Sequence, residues 1–481
     1  MIKKENKGIQ QNMKGRRVVL SAIAFIGVLI FCRLAQYPLI IPFFLFFLGL
    51  QLYWANKDKA NLKMFLNLGL LLSLITFTAY VVDFYTSVSS FFIPVAGIAM
   101  LTMLLFNDLW LTLVMSLATS LVISLVLNGN FAMMIIFFIG SLTGAFSVRE
   151  ARTRGRLISA GLYVSLVHLI CLVLLNPDIR LFLNREFTQY YVYPLLANGF
   201  ISAFVVIATL KIFEFLFDAI SNFTLLELAD FNQPLLKRMI LEAPGTYHHS
   251  LVVSNISETA ADTIGANALL TRVGSYYHDI GKMVKSEYFT ENQLLGGNKH
   301  DNIEPSMSRL VILNHVKEGM ELAKKYKLNQ AIINFIPQHH GTSLMHYFYQ
   351  KAVEEVQEGE VVDENDYRYP GPKPQTRETA ITLLADSVEG ATRALDEPNP
   401  QNIEETVKKV INNKFIDGQL DECPLTLNEI EKISSAFIRI LNAMYHTRVK
   451  YPEKKNGLTR NERSIPKDGS GYRRSAEDSS S

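Results

Sequence analysis

The chain has 481 residues, with 47 Lys and Arg against 45 Asp and Glu and a formal net charge of +2. A balance this close gives no indication of a nucleic-acid partner, and we expect none. Three scattered cysteines exclude a disulfide framework and a CxxC metal site, which fits a reducing compartment.

The distribution of charge divides the chain into two halves. Between Met64 and Val148 the only charged residues are Asp83 and Asp108, whereas the sequence after Asp218 has the composition of a soluble protein. We therefore predict a polytopic membrane bundle at 18–217 followed by a soluble part.

Eight apolar segments are long enough to span or nearly span a bilayer, since a crossing helix needs about 20 residues. Backbone groups in lipid must bond within their own segment, so each is predicted to be a helix. The predicted spans are 17–36, 38–54, 63–82, 88–106, 109–127, 131–148, 157–175 and 193–215. Residues 1–36 also resemble a signal peptide, but the apolar run continues into further spans and no A-x-A-like cleavage site follows, which favours an anchor.

Basic residues predict the orientation of the bundle. They concentrate in the tail at 1–17, in the connection at 57–63 and in the connection at 149–156, and the connections on the opposite side at 83–87 and 128–130 have none. Arg180 and Arg185 are exceptions, because they lie in the connection before the last span. With eight crossings the soluble half lies on the cytoplasmic side of a bacterial cell membrane.

His168 is the only histidine of the membrane half. Ionisable groups inside a membrane are functional candidates. A neutral imidazole bonded within the bundle is the simpler interpretation, and we assign it no ligand.

Helical periodicity continues through the soluble half. We predict a helical linker at 218–243, an all-helical domain at 244–451 and a disordered tail at 452–481, which has almost no large apolar residues. The fold class is therefore all-α: a transmembrane helix bundle followed by a cytoplasmic helical domain.

Seven residues of the soluble domain form an ordered set of metal ligands. They comprise five imidazoles and two carboxylates: His249, His278, Asp279, His315, His339, His340 and Asp386. Any one of these histidines alone would more often be an ordinary polar residue, and we assign no role to His300, His346 or His446. The ordered set in one helical domain is much less expected by chance.

The set is sufficient for two divalent ions that share Asp279. His249, His278, Asp279 and Asp386 would hold one ion, and Asp279, His315 and His339 would hold the second, with His340 as a further candidate. Imidazole with carboxylate suits Mn or Fe, and also Zn or Ni. Such metal pairs hydrolyse phosphate esters, with Asp279 and Lys282 as catalytic residues, because Lys282 could neutralise charge that develops on the phosphate.

Several stretches of the soluble half resemble one family specifically. The stretches APGTYHHS, QHHGT and PGPKPQTRE are the most specific, and the likeness extends over roughly 17–452. The chain is similar to the HD-domain metal phosphohydrolases, and within them to the membrane-bound cyclic-di-AMP phosphodiesterases of the seven-transmembrane-receptor HD family. The resemblance implies hydrolysis of cyclic-di-AMP to linear pApA with a Mn or Fe pair on the seven ligands named above.

The chain departs from this family in one respect. Members commonly carry an extracellular domain between the first two spans, whereas the connection here shrinks to about 33–38, which is too short to fold. Regulation by an extracellular ligand is therefore in doubt.

Other functions remain open. A cyclic-di-GMP phosphodiesterase of the HD-GYP kind would carry Gly-Tyr-Pro after the His-His pair, and Gly341-Thr342-Ser343 stands there instead. A mononuclear nucleotidase or alarmone hydrolase would leave the second ligand set unused. A receptor that binds a nucleotide without cleaving it would lack some of the metal ligands, and all seven are present here. A homodimer is a further possibility.

Substrate contacts are predicted beside the metal ligands. Tyr369, Lys373 and Arg377 bring aromatic and basic groups close to the helix of Asp386, and Lys282 follows the His-Asp pair. Arginine suits phosphate oxygens. A solvated loop is the alternative interpretation of 369–377.

Overall fold

The computed structural model describes residues 62–127, 131–293, 299–355 and 361–445. The basic tail at 1–17, the first two predicted spans, the connection at 33–38 and the tail at 452–481 lie outside these ranges. Within them the chain is helical, and its only extended pairing is an isolated bridge between Leu344 and Arg368. The all-α prediction is confirmed.

Six α-helices of 12 residues or more form the membrane half in the described residues. They are α1 (Leu62–Tyr85), α2 (Val95–Phe106), α3 (Leu109–Val126), α4 (Phe131–Val148), α5 (Arg154–Leu175) and α6 (Tyr193–Phe217). All except α2 belong to segments long and apolar enough to cross a membrane. Their side chains share one continuous apolar core.

Helix α2 does not match the continuous span predicted at 88–106. A short 3-10 turn at Ser90–Phe92 precedes Pro94, and the α-helix begins only at Val95. Proline disfavours helical backbone in the residue before it and lacks an N–H, so the helix cannot extend back through it. The resulting 12 residues are about 18 Å long, shorter than the hydrocarbon core of about 30 Å, so α2 is shorter than the segment that was predicted to span or nearly span the bilayer.

Although it is short, α2 runs parallel to α6. Asn198 near the start of α6 donates from Nδ2 to the carbonyls of Phe91 and Ile93, at 2.8 and 2.7 Å. At the other end, the rings of Phe106 and Phe217 lie 6.1 Å apart. The chain therefore returns along α2 to the side of the bundle where α6 ends.

Helices α5 and α6 cross with their backbones close together. A Cβ on Gly161 would lie 2.6 Å from the carbonyl oxygen of Gly199, and a Cβ on Gly199 would lie 2.0 Å from that of Gly161. Ser165 also donates its hydroxyl to the Leu196 carbonyl at 2.6 Å. Small residues permit this approach because membrane helices associate through close packing rather than through the hydrophobic effect.

His168 lies fully buried on α5, inside the bundle. Its ring packs directly over Gly140, where a Cβ would be 1.9 Å from Nε2. The ring of Phe137 approaches edge-on at 6.3 Å. Its position is thus an interior one, packed between α4 and α5.

The linker that the sequence predicts to be helical begins with a break after α6. Helix α6 ends where Asp218 adopts a left-handed backbone with φ 56°. The buried carboxylate of Glu214 then accepts bonds from the backbone N–H of Ser221 at 2.8 Å and the hydroxyl of Thr224 at 2.7 Å. These two bonds reverse the chain and tie the last turn of α6 to the start of the next helix.

Two short helices, α7 (Asn222–Leu228) and α8 (Pro234–Glu242), complete the linker. Pro234 stands at the first turn of α8, where a missing N–H is tolerated. The hydroxyl of Tyr277 donates to the Leu228 carbonyl at 2.8 Å, and Asn329 donates to the Ala219 carbonyl at 3.1 Å. The linker is therefore packed on the soluble domain.

The soluble domain is built from nine further helices in the described residues. They are α9 (Pro244–Thr263), α10 (Ala268–Tyr277), α11 (Pro305–Lys325), α12 (Gln330–Ile333), α13 (Phe335–Gln338), α14 (His346–Glu355), α15 (Arg377–Arg393), α16 (Pro400–Ile416) and α17 (Leu427–Met444). Helix α9 begins at Pro244 itself, so Pro244-Gly245 opens the helix.

Two apolar cores hold these helices. One joins α9 and α15 to α16 and α17, and the other joins the linker to α10 and the helices after it. Helices α9, α10 and α15 pack against one another where the two cores meet. The histidines and carboxylates named above extend into this region.

We expect Gly199→Ala to destabilise the bundle, because a methyl group cannot fit 2.0 Å from the Gly161 carbonyl. Overpacking of this kind costs about 1–3 kcal/mol, which should lower the melting temperature of the detergent-solubilised chain by several degrees. Gly155→Ala is the matched control, since nothing lies within 4 Å of a Cβ there. Equal melting temperatures for the two variants would contradict the crossing.

Candidate metal centre

Asp279 lies at the centre of the seven predicted ligands. Helix α10 ends at Tyr277, and His278 and Asp279 follow in the turn, both almost fully buried. One carboxylate oxygen, Oδ2, lies 3.2 Å from His278 Nε2 and 3.6 Å from His249 Nε2. The other, Oδ1, lies 3.5 Å from His315 Nε2 and 3.4 Å from His339 Nε2. Each oxygen of one carboxylate thus faces a different group of imidazoles.

The first group is completed from two helices that pack face to face. His249 lies in the second turn of α9, and Asp386 lies in the middle of α15. The Nε2 atom of His249 is 3.0 Å from Asp386 Oδ1, and that of His278 is 3.8 Å from the same oxygen. One ligand atom from each of His249, His278, Asp279 and Asp386 lies within 4.8 Å of the others.

The second group comes from α11 and the end of α13. His315 is buried on α11, and His339 and His340 follow the last residue of α13. Together with Asp279 these three histidines form a second set whose ligand atoms also lie within 4.8 Å of one another. The structure therefore brings all seven predicted ligands into two adjoining sets that share Asp279.

Backbone carbonyls orient three of the imidazoles. The Nδ1 atom of His278 bonds to the Ser275 carbonyl at 2.6 Å, that of His339 to the Phe335 carbonyl at 3.2 Å, and that of His315 to the Ile312 carbonyl. A carbonyl can only accept, so Nδ1 carries a proton and Nε2 is the nitrogen that remains to bind a metal ion.

Those three Nε2 atoms are buried and have no well-formed hydrogen bond within the described residues. A buried acceptor without a partner is costly unless something else satisfies it. These three nitrogens converge on Asp279, whose Oδ1 is also buried without a hydrogen bond to a described residue. This donor set fits divalent transition-metal ions, which take neutral imidazole and carboxylate ligands.

Glu389 orients the fourth imidazole, and the sequence reasoning missed it. Its carboxylate lies 2.8 Å from His249 Nδ1, on the side of the ring opposite the metal set. Glu389 follows Asp386 by three residues on α15, so the two carboxylates share one face of the helix. This spacing could have identified Glu389 in the sequence as an orienting residue, since an imidazole that binds metal usually donates the N–H of its other nitrogen to a carboxylate or carbonyl.

Gly281 allows the turn of Asp279 to lie directly on α11. A Cβ at this position would be 1.8 Å from the carbonyl oxygen of His315 and 2.5 Å from the backbone nitrogen of Gly319. Only glycine permits so close an approach without displacement of one backbone. The distance between Asp279 and His315 therefore depends on the absence of a side chain at 281.

The two ligand sets differ in charge. Burial alone would lower the pKa of His249 and His278, but neighbouring carboxylates raise these pKa values to about 9 and about 10. Burial lowers the pKa of His315 to about 4. The first set therefore holds protons that a cation would displace, whereas the imidazole of His315 is already neutral.

Lys282 supplies the positive charge closest to Asp279. Its Nζ atom lies 2.8 Å from Asp279 Oδ2 and 2.9 Å from Glu291 Oε1. Burial alone would raise the pKa of Asp279, but Lys282 and His278 hold it well below its ordinary value. Lys282 is thus already paired with two carboxylates, and Glu291 is a second residue that sequence reasoning missed.

A cavity of about 670 Å³ opens beside the ligands. His340 and Asp386 lie on its wall together with Lys282 and Tyr369. The ring of Tyr369 stacks on that of His340, with centroids 4.1 Å apart and an interplanar angle of 20°. His346, to which the sequence assigned no role, also lines this cavity.

The other two predicted substrate contacts lie elsewhere. Arg377 pairs with Glu429 at 3.0 Å, and Lys373 lies 3.5 Å from Asp421. Neither lines the cavity. Of the four predicted contacts, the structure therefore brings only Lys282 and Tyr369 to the metal ligands.

Comparisons with known proteins match both halves of the chain. Residues 28–221 match the family described as 7TM receptor with intracellular HD hydrolase, and residues 246–391 match the HD domain family. The chain is 35% identical over 424 residues to the cyclic-di-AMP phosphodiesterase PgpH of Bacillus subtilis, covering 85% of this chain and 59% of that protein. The PgpH protein of Listeria monocytogenes is 40% identical over 374 residues, covering 76% and 51%. The chain thus spans little more than half the length of these relatives.

A solved structure is also similar. The crystal structure of the HD domain of the L. monocytogenes phosphodiesterase PgpH is 51% identical, covers 45% of this chain and 100% of that chain, and has a TM-score of 0.43. The same domain in complex with cyclic-di-AMP is 50% identical, with the same coverage and TM-score.

We expect Glu389→Ala to weaken metal binding at the first ligand set, because His249 loses the acceptor that fixes its ring. Loss of such an orienting partner costs about 10–100-fold in metal affinity. Metal titration of the full chain, with bound ions counted by elemental analysis, measures the effect. Glu405→Ala, an exposed change on α16, is the control, and equal affinities for both variants would contradict the role of Glu389.

Proposed function

Since the chain belongs to the family of 7TM receptors with an intracellular HD hydrolase, we propose that it is a phosphodiesterase that hydrolyses cyclic-di-AMP to pApA. The observation that supports this most directly is the pair of ligand sets joined through the two oxygens of Asp279. The similarity to the two PgpH proteins supports the choice of substrate.

Two divalent ions are part of this proposal, with Mn or Fe as the most suitable. The seven ligands offer imidazole nitrogen and carboxylate oxygen without a thiolate, which suits these metals. When bound, such a pair activates water and screens the charge of the phosphodiester. His249, His278 and Asp386 would hold one ion and His315, His339 and His340 the other, with Asp279 shared between them.

The remaining polar residues would bind and orient the substrate. Lys282 faces the cavity beside Asp279 and would stabilise negative charge on the scissile phosphate. Tyr369 stacks on the ring of His340 and also lines the cavity. Lys373 and Arg377, which pair with acids on neighbouring segments, would act only through the shape of the loop that carries Tyr369.

The soluble domain would lie on the cytoplasmic side. Helices α5 and α6 are antiparallel, because Gly161 meets Gly199 and Ser165 meets Leu196. The basic connection at 149–156 therefore lies at the end of the bundle from which α6 leads to the soluble domain. Basic connections remain on the cytoplasmic side, which supports a position of the metal ligands where a cytoplasmic nucleotide would reach them.

We predict that the purified full chain with Mn or Fe converts cyclic-di-AMP to pApA, and that Asp279→Asn removes this activity. The amide keeps the shape of the side chain but loses the charge that both ligand sets share. If the transition state loses about 4 kcal/mol of stabilisation, the rate should fall by a factor on the order of a thousand. Chromatographic separation of the nucleotides measures turnover, and Asp262→Asn, an exposed change on α9, should retain the activity.

Three outcomes would contradict the proposal. Binding of the nucleotide without cleavage by the metal-loaded protein would favour a receptor. Faster cleavage of cyclic-di-GMP would change the substrate. A single bound ion per chain at full activity would exclude the paired mechanism.

A further inference from the structure

Lys414 is a basic residue of the cavity that neither the metal ligands nor Lys282 account for. It lies near the end of α16, beyond the residues that match the HD domain family. Its side chain lines the same cavity as Asp386 and is partly buried there. The Nζ atom donates to the hydroxyl of Ser343 at 2.7 Å.

The other lysine and arginine side chains that line the cavity already lie close to carboxylates. Lys282 contacts two carboxylates, at 2.8 and 2.9 Å. Arg393 is 48% exposed and lies 3.8 Å from a carboxylate oxygen of Glu389. Lys414, in contrast, forms no ion pair with any carboxylate of the described residues, and its hydrogen-bond partner is a neutral hydroxyl. Its charge is therefore available to a ligand.

The nearest acid along the chain, Asp417, is held by another residue. Arg368 binds both of its carboxylate oxygens, at 2.9 and 3.2 Å. Gln419 also donates to Asp417 at 2.8 Å. Asp417 is thus committed to neighbours other than Lys414.

The same Gln419 fixes the segment that carries Ser343. Its side-chain oxygen accepts from the backbone N–H of Thr342 at 2.8 Å. Gly341, with φ 54°, turns the chain directly after His340. The segment at 341–343 therefore connects a metal ligand to the hydroxyl that Lys414 contacts.

The position is unfavourable for a cation in the absence of an anion. Burial lowers the pKa of Lys414, while the charges of Asp386 and Asp417 offset this effect only in part. A partly buried ammonium group without a counter-ion is stabilised when an anion binds to it.

We propose that Lys414 and Ser343 bind the phosphate of the substrate that is not cleaved. This inference rests on the proposed function, because a cyclic dinucleotide has two phosphodiesters and only one can occupy the metal ligands at a time. An ammonium group and a hydroxyl are suitable donors for the oxygens of the second phosphate. The pair would thereby favour a cyclic dinucleotide over an ester with a single phosphate.

The test compares two substrates on the full chain in detergent. Cyclic-di-AMP has two phosphodiesters, whereas bis(p-nitrophenyl) phosphate has one. For Lys414→Met we expect the KM for cyclic-di-AMP to rise about 10–100-fold, as for the loss of a charge-assisted hydrogen bond. We expect kcat to change by less than about threefold, since the contact is equal in ground and transition states. Hydrolysis of bis(p-nitrophenyl) phosphate should not change.

Lys408→Met removes a charge from the exposed face of the same helix and serves as the matched control. Ser343→Ala is a second variant, for which we expect a smaller rise in KM for cyclic-di-AMP alone. If Lys414→Met does not fold, Ser343→Ala carries the test, and an unchanged KM there would overturn the inference.

The outcomes separate this inference from the proposed function. An active parent chain with an unchanged KM in Lys414→Met would overturn the inference alone. Equal losses on both substrates would also overturn it, because they would place Lys414 in support of the metal ligands. A parent chain that hydrolyses bis(p-nitrophenyl) phosphate but not cyclic-di-AMP would refute the proposed substrate and this inference with it.

Discussion

The arrangement of the soluble domain depends on one carboxylate, that of Asp279, buried between two groups of imidazoles. A buried carboxylate is stable only where positive charge or hydrogen-bond donors surround it. Four histidines and Lys282 approach its two oxygens from separate elements of the fold. Helices α9, α10 and α11 must therefore converge on a single residue, and the glycine at 281 lets them come close enough.

Four of the five imidazoles have a hydrogen-bond partner that fixes the orientation of the ring. Three imidazoles are fixed by carbonyls of their own preceding turns and one by Glu389. A carbonyl of the same segment can orient a ring without any contact to another segment, because the local backbone already fixes the position of that carbonyl. The orienting partner of His249 comes instead from a different helix, α15. The one orienting carboxylate thus also links the two helices of the first ligand set.

The sequence was sufficient to predict the seven residues that the structure brings together, because their identity and order are local properties of the chain. It predicted the all-α class and five of the long apolar helices for the same reason. It could not place Glu389 or Lys414, whose roles depend on contacts across more than 70 positions of the chain. Lys373 and Arg377 are near Asp386 in sequence, yet they pair with acids from other segments. The break at Pro94 was visible in the sequence, but apolar composition outweighed it in the prediction of a span.

The close crossing of Gly161 and Gly199 has a mechanical consequence for the chain. Two helices whose backbones touch cannot slide or tilt independently, so α5 and α6 form a stiff pair. Glu214, in the last turn of α6, accepts two hydrogen bonds from the start of the linker. The linker in turn accepts a hydrogen bond from Tyr277, the residue before His278. A rotation of these two helices within the membrane would therefore be transmitted through the linker to the metal ligands, because these hydrogen bonds fix the connection at both of its ends.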